Sequence, residues 1–246
     1  MSAFLVEIFS SIQGEGPLVG CRQIFLRFAG CNLRCAYCDT PNDPHPPHCR
    51  SECMPGKRDF ILLPNPLTVS RLISVVEKLN PFSHHSISLT GGEPLLYSEF
   101  LCKAIPLLKT ACRGIYLETN GTLPDELSRV LHLVDFIAMD VKLPGVSGLP
   151  PLWREHEKFL SVASKKRVFV KIVVDRQTTI AEVTQTARLV AGIGDILLVI
   201  QPVTYENESG RPGVSAPQLL TLQEHALSYL SRVRVIPRVH KMLDLL

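Results

Sequence analysis

Short apolar runs alternate with segments of helical period along most of this chain. Residues 23–28, 85–89, 114–118, 134–141, 167–174 and 196–201 are rich in Ile, Val, Leu and Phe. Several of these runs are apolar at consecutive positions, which predicts strands buried on both faces, as in a parallel sheet. Between them lie segments with apolar residues three and four apart. In residues 68–79, Val69, Leu72, Ile73 and Val76 share one helical face, and Thr68 is suited to cap its start. Residues 96–109, 124–133, 151–164, 179–191 and 216–231 continue the series.

Strand–helix alternation implies right-handed crossovers between parallel strands. Six such units predict an α/β fold, an incomplete (β/α)6 barrel of TIM type in a single domain over residues 1–246, with a short N-terminal extension. In such barrels the reactive groups sit at the C-terminal ends of the strands. Five polar or Cys-bearing stretches fall there: Cys31 to Cys38, Thr90-Gly91-Gly92-Glu93-Pro94, Glu118-Thr119-Asn120-Gly121, Asp140-Val141-Lys142 and Gln201-Pro202. They are expected to converge on one face. Residues 41–66 break the pattern, with seven prolines and no helical period. This stretch reads as an irregular insertion, a solvated flap over the site. Its His45, His48, Cys49 and Cys53 offer an alternative metal set, but the spacing is tight for four ligands around one ion.

Composition narrows the picture only a little. The chain has 246 residues, 46% hydrophobic and 20% charged, and no apolar run long enough for a transmembrane helix. Its first residues lack a basic stretch and carry Glu7, unlike a secretory signal. Eight cysteines, three of them clustered, then predict a cytoplasmic protein that binds metal. A net charge of +3 makes no case for nucleic acid and suits a small anionic substrate.

The candidate chemistry lies in Cys31, Cys35 and Cys38, spaced C-x3-C-x2-C. A structural zinc site takes four protein ligands. Three thiolates with no local fourth suit an iron–sulfur cube with one iron left open. From spacing alone, a zinc knot or inert buried thiols stay as the alternative. With Tyr37 before its last Cys, the triplet resembles the signature of the radical S-adenosylmethionine superfamily, and Gly91-Gly92-Glu93-Pro94 resembles the turn that meets the methionine amino group there. Ser11-Ile12-Gln13-Gly14-Glu15-Gly16, followed by an F-x-R-x-x-G-C-N-L-x-C-x-x-C-D-T run, resembles the 7-carboxy-7-deazaguanine synthases, and the likeness extends to His240-Lys241.

That resemblance implies a [4Fe-4S] cluster on Cys31, Cys35 and Cys38 and a reductive cleavage of S-adenosylmethionine. It also implies hydrogen abstraction from 6-carboxy-5,6,7,8-tetrahydropterin, ring contraction, loss of ammonia and release of 7-carboxy-7-deazaguanine. It places Tyr37, Cys38, Asp39, Gly92, Glu93, Asp140, Val141, Lys142 and Gln201 on the cofactor, and Ile12, Gln13, Gly14, Arg27, Thr90, His240 and Leu246 on the substrate. It assigns the Thr40 hydroxyl to Mg²⁺, and residues 232–246 to a tail that closes the pocket. Asp140-Val141-Lys142 stands where many of these enzymes carry Ser-Pro-Lys, so Asp140 has a structural alternative. A flavodoxin or ferredoxin as electron donor and a homodimer are further expectations; neither a membrane nor a nucleic acid is expected as a partner. The rival readings are a glycyl-radical-enzyme activase and a non-enzymatic zinc or electron-transfer module.

Overall fold

The computed structural model describes residues 1–38, 40, 43–109, 113–204 and 213–245. Asp39, Cys112 and Leu246 therefore lie outside the described residues. The strands run β1 (Ser2–Ala3), β2 (Leu5–Ile12), β3 (Arg22–Phe28), β4 (His48–Glu52), β5 (Phe60–Pro64), β6 (Leu67–Thr68), β7 (Ser86–Gly91), β8 (Ile115–Thr119), β9 (Phe136–Val141), β10 (Arg167–Val174), β11 (Leu197–Pro202) and β12 (Val233–Val235). The helices are α1 (Val69–Lys78), α2 (Ser98–Lys109), α3 (Pro124–Val130), α4 (Pro144–Ser147), α5 (Trp153–Ala163), α6 (Ile180–Ile193), α7 (Ala216–Leu227) and α8 (Val239–Met242). Thr68 caps α1, accepting from Arg71 N, and Thr179 with Glu182 forms a capping box on α6.

Among the described residues, ten strands form one sheet in the order β12-β11-β10-β9-β8-β7-β3-β2-β4-β5. From β3 to β12 every pairing is parallel. The two ends of the order are not joined, so the barrel is incomplete, as the alternation predicts. β12 adds a short strand beyond the six expected units.

Strand alternation divides the core in two. Leu117, Ile137, Met139, Val170, Ile172, Leu198 and Ile200 pack outward against the helices in the main cluster. Tyr116, Ala138, Phe169, Leu197 and Val199 form a small second cluster. Two residues further along the strands, on that same face, come Glu118, Asp140, Lys171 and Gln201. The inner face is thus apolar at its base and polar at the C-terminal mouth.

The two ends of the sheet differ from the expectations. The N-terminal extension is a full strand, β2, antiparallel to β3. Among the described residues of this stretch, 43–66, the expected irregular flap is replaced by the hairpin β4–β5, and β4 adds to the sheet in parallel with β2. Cys49 is fully buried in the main core, and burial pushes its thiol up to about 12. His45 packs edge-on against Phe4. Among the described residues no three His, Cys, Asp or Glu side chains converge on one ion, so the proposed His45, His48, Cys49 and Cys53 set is not assembled. Buried polar groups explain the hairpin: Glu52 Oε2 accepts from Ser10 N at 2.8 Å and Oε1 from Arg58 N at 2.8 Å. No helix among the described residues is long and apolar enough to cross a membrane.

Candidate active site

A cavity of about 490 Å³ opens at the C-terminal mouth of the parallel strands. Cys31, Cys35 and Cys38 all line it, from the loop after β3. The thiols are free of disulfides, and burial raises Cys31 and Cys35 above the ordinary thiol value. For Cys35 the nearby Lys142 ammonium opposes that rise. A mononuclear site needs ligands that meet at one point, whereas a cube takes each thiolate at a separate iron. The three thiols all face one cavity with room for a cube among them. Thr40 lines the same cavity.

The turn after β7 is shaped by contact with that loop. Gly92 N donates to Phe28 O at 3.0 Å and Glu93 N to Gly30 O at 2.9 Å. A Cβ on Gly92 would stand 1.9 Å from Gly30 O, and Gly91 sits at φ +116°. Only glycines fit here, because the turn lies directly on the backbone that enters the Cys loop. The Glu93 side chain is wholly buried and does not line the cavity. It accepts from Thr119 Oγ1 (2.9 Å), Asn120 N (2.8 Å) and Leu95 N (3.1 Å). Burial pushes its carboxyl up to about 7 against these three donors. Its side chain joins the loops after β7 and β8, which leaves only its backbone for a ligand.

The polar mouth is a chain of ion pairs. Lys171 and Asp140 are register partners on β10 and β9, and their Nζ–Oδ1 distance is 3.2 Å. Lys142 Nζ holds Asp140 Oδ2 at 2.7 Å, and Lys171 also pairs with Glu15. Burial would raise Asp140, but the two ammonium groups outweigh it and hold the carboxyl below its ordinary value. Lys142 also stands 5.5 Å from the Tyr37 ring centroid. The Val141 side chain points outward into the main core, as its parity on β9 demands, and does not line the cavity.

Ile12, Gln13, Gly14, Arg27 and Thr90 all line the cavity, but Gln13 is engaged with the protein. Its Nε2 donates to Gln23 Oε1 (3.0 Å) and Glu118 Oε1 (2.9 Å), and its Oε1 accepts from Glu15 N (3.0 Å). These bonds tie Gln13 to Glu118. Glu118 also accepts from Thr90 Oγ1 at 2.7 Å; burial and then the Glu15 charge raise its carboxyl. Arg27 Nε donates to Glu7 Oε1 at 2.8 Å, which fixes the guanidinium against the wall beside Phe9. From the tail, Val239 N donates to Gly14 O at 2.9 Å and His240 lines the cavity.

Glu15, Glu118, Asn120 and Lys171 also line the cavity; the sequence places Glu118 and Asn120 at the mouth without a role, and gives no role to Glu15 or Lys171. The available signal was a lone charge within a run apolar on both faces: Lys171 in Arg167–Val174 and Glu118 in Ile115–Thr119. A charge in such a place needs a partner. Gln201 lines the cavity, and its Oε1 is buried with no hydrogen-bond partner among the described residues.

The Radical SAM superfamily profile matches residues 26–190. The chain is 44% identical to the 7-carboxy-7-deazaguanine synthase of Geobacter sulfurreducens, over 98% of this chain and 97% of that one. The chain belongs to the radical SAM superfamily and, within it, to the 7-carboxy-7-deazaguanine synthase family. The synthase of Methanothermobacter thermautotrophicus is 35% identical over 100% of this chain and 98% of its own. Among solved structures, QueE from Escherichia coli superposes with a TM-score of 0.60 at 18% identity, covering 98% of this chain and 95% of that one. At that identity the likeness speaks for the fold. A [4Fe-4S] cluster and S-adenosylmethionine come with membership of the superfamily.

Proposed function

We propose that this chain contracts 6-carboxy-5,6,7,8-tetrahydropterin to 7-carboxy-7-deazaguanine with loss of ammonia, a step towards queuosine or a related 7-deazapurine. The observation that carries the reading is identity with named synthases along the full chain, and the Ser11-to-Gly16 stretch that marks them supplies Ile12, Gln13, Gly14 and Glu15 to the cavity wall. When bound, the cluster and S-adenosylmethionine supply the one-electron chemistry that begins the reaction.

The protein's part is to hold and orient. Cys31, Cys35 and Cys38 bind the cluster, and each thiol gives up its proton on binding. The backbone of Gly92 and Glu93 accepts from the methionine amino group. Tyr37, Asp140, Lys142 and Gln201 face the rest of the cofactor, with Gln201 Oε1 accepting from it. Because Nε of Arg27 is committed to Glu7, the two Nη atoms form the fork for the pterin carboxylate. Thr90 and Glu118 face the pterin ring, and Glu118 accepts from its N–H groups. The Thr40 hydroxyl would help hold Mg²⁺, which would bind the substrate carboxylate. His240 would cover the pocket and keep bulk water out of it. The domain is a single unit, and a flavodoxin or ferredoxin delivers the electron.

Anaerobic reconstitution followed by assay on the carboxypterin tests this. Cys35→Ala is expected to lose the cluster, cofactor cleavage and product. Cys49→Ala is expected to keep the cluster and both activities. A reconstituted wild type that cleaves S-adenosylmethionine but never converts the carboxypterin would overturn the proposal.

A further inference from the structure

One side chain on the loop after β8 has its direction fixed from several sides. Asn120 Oδ1 accepts from Thr122 N at 3.1 Å and from Thr122 Oγ1 at 2.6 Å. A backbone N–H can only donate, so the atom facing Thr122 is the amide oxygen, and the amide nitrogen faces the other way. That nitrogen donates to Asn32 Oδ1 at 2.8 Å and lies 3.6 Å from Cys31 Sγ. Asn32 Nδ2 then donates to Thr122 Oγ1 at 2.9 Å, closing a ring of three side chains. The backbone of the loop is held as well: Asn120 N donates to buried Glu93, and Gly121 O accepts from His156 Nδ1 at 3.1 Å. The loop and its amide are therefore pre-set before any ligand arrives.

We propose that Asn120 is a positioning residue that tunes the cluster, its Nδ2–H donating to the Cys31 thiolate so that the reduced cluster is stabilised. The proposal rests on Cys31 being a cluster ligand. Leu33 N, 3.4 Å from the same sulfur, is a second donor. Reduction adds negative charge that spreads onto the ligand sulfurs, and donors to sulfur favour that state, which is one of the levers that set a cluster's potential.

The test is the cluster's midpoint potential, read by redox titration of its electron paramagnetic resonance signal in the anaerobically reconstituted holoenzyme, with iron and sulfide content measured alongside. Asn120→Ala is expected to keep its iron and to shift the potential to a more negative value. Asn120→Asp turns a donor into a carboxylate oxygen against sulfur and is expected to shift it further the same way. Should either variant lose iron, Thr122→Val is read instead. It keeps the amide but removes the hydroxyl of the ring, and a smaller negative shift is expected. Potentials equal to wild type, or shifted positive, in the iron-loaded variants would overturn the proposal. A wild type that holds no cluster on the three cysteines would refute the ligand assignment itself, which separates the two failures.

Discussion

His156 lies fully buried on α5 and bridges two of the loops that build the site. Its Nε2 accepts from Lys142 N at 3.1 Å, which requires a neutral ring, and its Nδ1–H donates to Gly121 O at 3.1 Å. Burial, helped by the Lys142 charge, pushes the imidazole from 6.5 down to about 4. The unfolded chain thus binds a proton at pH values where the folded chain does not. The His156 contribution is fully present above pH 6.5 and is lost as pH falls through that value towards 4, by roughly 3 kcal/mol in all. His156→Gln keeps one donor and one acceptor on a side chain that does not titrate. Glu93, whose carboxyl burial raises, and His84, which burial lowers, titrate in both proteins, so the difference between the two isolates His156. The assay is urea unfolding of the metal-free wild type and variant between pH 4 and pH 7.5. Wild type is expected to lose roughly 3 kcal/mol relative to the variant over that span. Parallel pH dependence in the two proteins would show that His156 is not held neutral by the fold, and the bridging role would fall with it.

Lys171→Met removes the cation between Glu15 and Asp140 and leaves their carboxylates without it, so a loss of roughly 3–5 kcal/mol in unfolding free energy is expected; a loss under 1 kcal/mol would show the pairs to be effectively solvated. Gly14→Ala places a Cβ about 2.1 Å from His240 Nδ1 and should push the tail off the site, raising the KM for the carboxypterin while leaving iron content unchanged; an unaltered KM would remove the tail from the pocket. Arg27→Lys keeps charge but loses the fork, and a rise of about 10- to 150-fold in KM for the carboxypterin is expected from roughly 1.5–3 kcal/mol, with cofactor affinity preserved; normal substrate affinity would leave Arg27 as only the partner of Glu7.

Much of this protein is legible in its one-dimensional pattern. The consecutively apolar runs became parallel strands within one or two residues of their expected bounds, because a strand covered on both faces by protein needs apolar groups on both. The Cys triplet and the paired glycines were legible because their chemistry is local: a loop that carries three ligands, and a turn that must lie on another backbone. Other features depend on partners distant in sequence. β2 carries Ser10 in its buried half, and its hydroxyl and backbone N–H are satisfied by His84 and Glu52, which arrive from 74 and 42 residues away, and by Arg22. The hairpin in residues 41–66 forms because the free edge of β2 offers its backbone groups a ladder, something its prolines conceal. At the site, residue types were legible but their engagements were not. The Glu93 side chain joins two loops, Gln13 bonds Glu118 as it lines the cavity, and Lys171, within an apolar strand, pairs with Asp140. Sequence alone determines which side chains stand at the C-terminal ends of the strands. Only the register of β9 against β10, and the packing of one strand-end loop on the next, decide which of them pair with each other and which are left facing the cavity, because a buried charge or amide is satisfied by whatever the fold brings within about 3 Å of it.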